Sequence, residues 1–157
     1  MVSLTRRYPF SASHRLHSDA LSDSENVQLY GKCNNPFGHG HDYVLGVTVS
    51  GRVDTETGLL VSLARLDELV EIEVLRIFRF ANVNLDIPQF ASLVPTTENI
   101  VAVITTILMD NWAAYLGRTT ARLRAVRIQE TPRNGFVGFV ETGETSGSRS
   151  NREVVHA

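Results

Sequence analysis

Residues His41–Asp54 read HDYVLGVTVSGRVD, and the alternation inside them decides the fold class. Tyr43, Leu45, Val47 and Val49 fall on one side of an extended chain. Val44, Gly46, Thr48 and Ser50 fall on the other. That period of two marks a strand with one face in a core. A turn follows at 54–58, DTETG, where Gly58 is free to take a positive φ. Upstream, Leu4–Leu16 mixes aromatic and small residues and is expected to form a first strand. Residues 17–32, HSDALSDSENVQLYGK, are polar and broken by Ser, Asp and Asn, and read as a surface excursion.

Downstream the period changes. Leu66, Leu69, Val70, Val74 and Ile77 recur at helical spacing from Leu63 onward. The segment FANVNLDIPQF, 80–90, ends that helix with Asn82, Asn84, Asp86 and Pro88. A second helix is expected to start near PTTEN, 95–99, where a threonine can cap and Glu98 meets the positive end of the helix dipole. Its buried stripe is Ile100, Ile104, Ile107, Leu108 and Trp112, ending near Leu116-Gly117. Two strands close the domain, at 120–130 and 135–141. A hairpin at TPRNG joins them, with Asn134-Gly135 as its turn. The order ββααββ describes one α+β domain over residues 1–141. Thr142–Ala157 has little to bury and is expected to be a mobile tail.

Bulk properties narrow the function classes. The chain has 157 residues, 43% of them hydrophobic, and a formal net charge of −2. This supports a real core and gives no argument for nucleic acid or an anionic membrane surface as partner. No segment approaches the roughly 18 apolar residues of a membrane span. Of the 15 basic residues, 14 are arginine and Lys32 is the only lysine. Such a bias suits recognition of phosphate or carboxylate, and genomic base composition produces it as well. One cysteine excludes an intramolecular disulfide, and the N-terminus lacks an apolar signal region, so a cytoplasmic protein is expected.

The chemistry concentrates just before the opening strand, in KCNNPFGHGHDY, Lys32–Tyr43. On a strand, His39 and His41 point to the same face and can reach one metal ion. Gly38 and Gly40 leave space around them. His14, from FSASHRLH, offers a third nitrogen, with His17 in reserve. Three neutral imidazoles suit Zn²⁺ and leave a fourth position open, the arrangement of a catalytic site. Cys33 has two readings. It closes the site as a fourth ligand, or it stands beside an open metal as a thiolate base. Spacing does not separate them.

FSASHRLH, GKCNNPFGHGHDY, PTTENI and IQET stand in an order and spacing that resemble the 6-pyruvoyltetrahydropterin synthase family, with the bacterial 6-carboxytetrahydropterin synthases as relatives. The likeness runs from about Phe10 to Glu141. It implies the T-fold: an antiparallel four-stranded sheet with two helices on one face, joined by its edges into an oligomeric barrel. Two trimers would stack into a homohexamer, with active sites between subunits. It also implies a lyase of tetrahydrobiopterin biosynthesis that acts on 7,8-dihydroneopterin triphosphate and releases 6-pyruvoyltetrahydropterin and triphosphate. Carried onto this sequence, the zinc ligands would be His14, His39 and His41, and Cys33 the proton-transfer residue. Glu130 would bind the guanidine-like edge of the pterin, and Thr96, Thr97 and Glu98 would line its pocket. Without the resemblance, Glu130 reads as an edge-strand carboxylate and the threonines as helix caps.

One departure stands out. Where the family carries an Asp-His pair that relays protons with the cysteine, FRFANVN, 78–84, places Arg79 and Phe80. Arginine stays protonated and phenylalanine has no proton to exchange. Three outcomes follow: a slowed pyruvoyl-synthase reaction, a shift to pterin side-chain aldolase or 6-carboxytetrahydropterin synthase chemistry, or a pterin-binding paralogue without turnover.

Overall fold

A computed structural model describes residues 1–117 and 119–141. The expected tail, 142–157, lies outside the described residues. Four strands form one antiparallel sheet in the order β1-β2-β3-β4: β1 (Val2–His14), β2 (His39–Gly51), β3 (Arg122–Gln129) and β4 (Gly135–Phe139). The alternation of β2 is realised as read. Tyr43, Leu45, Val47 and Val49 are buried, while Val44, Thr48 and Ser50 between them are only partly covered. The turn at 54–58 also forms, with Gly58 at φ 70°.

The polar stretch 17–32 is not a bare excursion, as the sequence suggested. It contains α1 (Asp23–Tyr30), started by a capping box in which Ser22 and Glu25 satisfy each other's backbone N–H groups. Of its residues only Asn26 is buried, while Val27 and Leu29 stay exposed. No apolar stripe therefore announces the helix. A 3₁₀ turn, Gly31–Asn34, follows and carries Cys33.

The first long helix is α2 (Leu63–Val70), a π-helical turn over Glu71–Leu75, and α3 (Arg76–Phe78) in succession. A π turn holds one more residue than an α turn, so the inward face lags by one position. Phe78 is consequently buried and Ile77, expected in the stripe, is 40% exposed. A short helix, α4 (Val83–Asp86), lies in the segment beyond.

The second long helix, α5 (Thr97–Leu116), is capped by Thr96, whose hydroxyl accepts from the N–H of Asn99. It buries Ile100, Val101, Ile104 and Leu108 in the shared core, and Ile107 and Trp112 pack against that core partly covered. By length and mean hydropathy α5 meets the criteria for a membrane span, contrary to the expectation that no segment comes near them. Its buried stripe is that of a helix packed on a sheet.

The β3–β4 turn also differs from expectation. Thr131 and Asn134 exchange backbone hydrogen bonds, so Pro132 and Arg133 occupy the tip. Proline fixes φ where such a turn needs it, and Asn134 falls at the turn's end.

Candidate metal and ligand site

The register of β1 with β2 builds the centre of the site. It pairs His14 with His39 and Ala12 with His41. Cross-strand partners share a face, as do residues two apart, so three imidazoles converge at one end of the sheet. The Nε2 atoms of His14 and His39 are 3.3 Å apart. One ligand nitrogen from each of the three rings lies within 4.8 Å of the other two. Two nitrogens bound tetrahedrally at zinc-like distances would be separated by about 3.3 Å. The donor set therefore fits a divalent metal that favours imidazole.

Protonation favours binding too. The Nδ1 of His14 lies 2.8 Å from the carbonyl oxygen of Pro95. A carbonyl only accepts, so Nδ1 carries the proton and Nε2 keeps its lone pair for a metal. Burial holds His14 and His39 below the ordinary histidine value, and the neighbouring imidazoles add to the effect. Among the described residues, the buried Nδ1 of His39 has no hydrogen-bond partner.

Gly38, rather than Gly40, is the glycine that this geometry requires. It sits at φ 70°, and a Cβ there would meet the carbonyl oxygen of His14 at 2.9 Å. A Cβ on Gly40 would make ordinary contact. His17 does not join the cluster. Its Nδ1 accepts from Asn34 at 3.0 Å, and its Nε2 lies 3.6 Å from Asp19.

A carboxylate adjoins the cluster. Glu130 Oε1 is 3.9 Å from Nε2 of both His14 and His41, and its side chain is 14% exposed. Buried Thr97 donates its hydroxyl to the same oxygen at 2.6 Å. The three helix-start residues thus separate in role: Thr96 caps α5, Thr97 orients Glu130, and Glu98 is exposed to solvent.

Cys33 is partly buried on its 3₁₀ turn. That turn is tied to the end of β1, since Leu16 N–H donates to the Cys33 carbonyl at 2.9 Å. Asn34 donates to the Leu16 carbonyl at 2.7 Å. Tyr43 was legible from the sequence only as a core residue. Its phenol is pushed up by burial first, then by the charges of Glu130 and Cys33, and stays protonated.

Arg79 and Phe80 sit along the outer edge of β1. Arg79 makes a two-pronged ion pair with Glu71, at 3.1 and 3.2 Å. Phe80 has φ 62°, the only positive value at a non-glycine among the described residues. Its ring is 82% exposed. Phe80 N–H donates to Ser11, and the Ala81 carbonyl accepts from Ser13. Phe80 and His41 both line a shallow cavity of about 340 Å³, together with Ser11, Ser13 and Asp42.

Comparison with known proteins follows the same lines. The family model for 6-pyruvoyl tetrahydropterin synthase matches residues 3–138. The chain is 44% identical over 133 residues to 6-pyruvoyl tetrahydrobiopterin synthase of Homo sapiens, covering 85% of this chain and 88% of the relative. The Poecilia reticulata protein of that name is also 44% identical, covering 83% and 85%. Among solved structures, 6-pyruvoyl tetrahydropterin synthase of Caenorhabditis elegans superposes with a TM-score of 0.80 at 37% identity, covering 89% of this chain and 96% of that one.

Proposed function

The chain belongs to the 6-pyruvoyl tetrahydropterin synthase family, and from that premise we propose that it is a zinc-dependent pterin lyase. Its reaction would convert 7,8-dihydroneopterin triphosphate to 6-pyruvoyltetrahydropterin and triphosphate. The observation that carries this reading is the juxtaposition of three converging imidazoles with a carboxylate 3.9 Å from two of them. Bound to His14, His39 and His41, zinc would act as a Lewis acid toward the side-chain hydroxyls of the pterin.

The chain's own residues do the rest. Glu130 accepts two N–H bonds from the guanidine-like edge of the pterin, and Thr97 holds the carboxylate in place for it. Thr96 caps the helix start from which Thr97 reaches Glu130, and Thr96 and Glu98 would line the pterin pocket there. Cys33 takes and returns protons at the side-chain carbons. The step balances without an external oxidant: elimination expels triphosphate as one C–H proton leaves. The enol left by elimination tautomerises, so the middle side-chain carbon becomes a ketone as the terminal carbon that carried triphosphate becomes a methyl group; the carbinol next to the ring is oxidised to the second ketone as the ring's C=N bond is reduced.

A second reading is favoured by Arg79 and Phe80. Arg79 is occupied by Glu71, and Phe80 supplies no proton. A proton relay that has lost its base slows turnover by orders of magnitude while binding persists. Side-chain cleavage of a pterin, which needs the metal and one base, is the alternative activity. A non-catalytic pterin binder is the alternative class.

Incubation of zinc-loaded protein with dihydroneopterin triphosphate, and separately with dihydroneopterin, followed by mass analysis, separates these readings. Pyruvoyl product with free triphosphate supports the lead. Loss of the side chain supports the aldolase. Tight binding with neither product supports the binder.

The quaternary state belongs to the same proposal. β1 and β4 are the outer strands of the sheet, and edge pairing between copies would close a barrel and remove both edges. A homohexamer of two stacked trimers, in the cytoplasm, is the form proposed.

A further inference from the structure

The turn that carries Cys33 is held by a buried carboxamide that the proposed reaction does not use. Asn34 is buried, and its Nδ2 donates to the Leu16 carbonyl at 2.7 Å and to His17 Nδ1 at 3.0 Å. A carboxamide nitrogen carries two hydrogens, so both are spent. The Leu16 N–H returns a bond to the Cys33 carbonyl, and Arg15 Nε donates to the Asn34 carbonyl at 3.2 Å. Arg15, Leu16 and His17 thus grip one turn, and they directly follow the candidate ligand His14. Asn84 steadies the grip, accepting from the Arg15 N–H and donating to the Arg15 carbonyl.

The other side of the thiol is fixed as well. Asn35 Oδ1 accepts from the Phe37 N–H, and the Gly38 N–H donates to the Asn35 carbonyl at 2.9 Å, closing the turn that leads into His39. Cys33 therefore sits between a tie to the residues after His14 and a closed turn before His39. Its charge acts on the Tyr43 phenol, whose ring abuts His41 at 5.4 Å. The contrast with Asn26, also buried, is informative. Asn26 bonds to Ser18, Leu21 and Ser22, all within its own segment, as the anchor of a loop does. Asn34 reaches instead to the chain that runs on from β1.

Resting on the lyase reading, we propose that Asn34 is a positioning residue, whose carboxamide fixes the Cys33 turn against the end of β1 and so sets the place of the thiol relative to His14, His39 and His41. Proton transfer needs the base within hydrogen-bond reach of the carbon acid, and a misplacement of about 1 Å costs about 100-fold in rate. His17 is then the acceptor for the second amide hydrogen.

The test compares wild type with Asn34→Asp, whose ionised carboxylate keeps the shape and donates to neither partner. With zinc-loaded protein and 7,8-dihydroneopterin triphosphate, kcat for triphosphate release should fall about 100-fold while KM stays within about threefold. Zinc affinity, measured by chelator competition, should not change. Iodoacetamide reads Cys33 alone, since the chain has one cysteine. Its alkylation in metal-free protein should quicken about tenfold as the freed turn opens locally. A lower melting temperature with unchanged kcat overturns the inference, leaving Asn34 a structural role only. Unchanged alkylation overturns it, as does a loss of zinc affinity that matches the loss of turnover, or a rise in KM at constant kcat. Should Asn34→Asp not fold, Arg15→Lys takes its place, because it loses the Nε bond to the Asn34 carbonyl and keeps the charge. The same two readouts should then move by about threefold, and constancy of both overturns the inference. Absence of triphosphate release from wild type removes the lyase reading and this inference together. Release at equal kcat by both proteins removes this inference alone.

Discussion

His14 shows how single contacts shape this site. The carbonyl of Pro95, just before α5, fixes which ring nitrogen carries the proton, so a loop residue far along the chain prepares a strand residue for a metal. Cys33 bears on whether the metal site is open. In the open site proposed here, zinc K-edge absorption should show three nitrogen scatterers near ~2.0–2.1 Å and no sulfur near ~2.3 Å. A sulfur shell would make Cys33 a fourth ligand and the site structural. Phe80 holds backbone strain that its ring does not repay, being exposed in a left-handed conformation. Replacing it with glycine should stabilise the protein by about 1 kcal/mol in chemical denaturation. A loss of similar size would mean that the ring packs in the assembled protein.

At the scale of elements, β1 is tied to α2 by Asp67, which takes both prongs of Arg6 and the hydroxyl of Tyr8. Partial burial alone would raise the Asp67 pKa. The bonds and charge of its partners outweigh that and hold it below the ordinary carboxylate value. Its contribution is therefore present at neutral pH and lost as pH falls through that lowered value. Asp67→Asn should melt below wild type at pH 7, with the gap narrowing below about pH 4 as the wild-type carboxylate protonates. A gap that is constant with pH would remove the charge from the account. Elements with a strong apolar period were legible in the sequence: β2 by its alternation, α5 by its cap and stripe. α1 was not, because its only buried residue is Asn26. The π turn was not, because one inserted residue moves the inward face from Ile77 to Phe78 without changing composition. In the site, the histidines were legible through their spacing and Glu130 through the family resemblance. The Thr97–Glu130 bond, the Pro95 contact and the hold of Asn34 on Leu16 depend on packing between elements distant in sequence, which no local pattern encodes.

Across the whole molecule, the sheet acts as a frame with its chemistry at one end. β1 and β2 deliver the imidazoles, the end of β3 delivers Glu130, and the start of α5 delivers Thr97. The segment with Arg79 and Phe80 runs along the outer edge of β1, beside the cluster. The three converging imidazoles, Glu130 and Thr97 are thus brought together by one chain, and the proposed function sets them beside Arg79 and Phe80, residues that exchange no protons. The account accordingly predicts metal-dependent turnover that is slow for its family. The most direct measurement follows triphosphate release from 7,8-dihydroneopterin triphosphate by protein stripped of metal and then reloaded with zinc. The account predicts no release from stripped protein and release restored in proportion to bound zinc, up to one ion per chain. Release that is indifferent to metal, or none from fully loaded protein that binds the substrate, would contradict it.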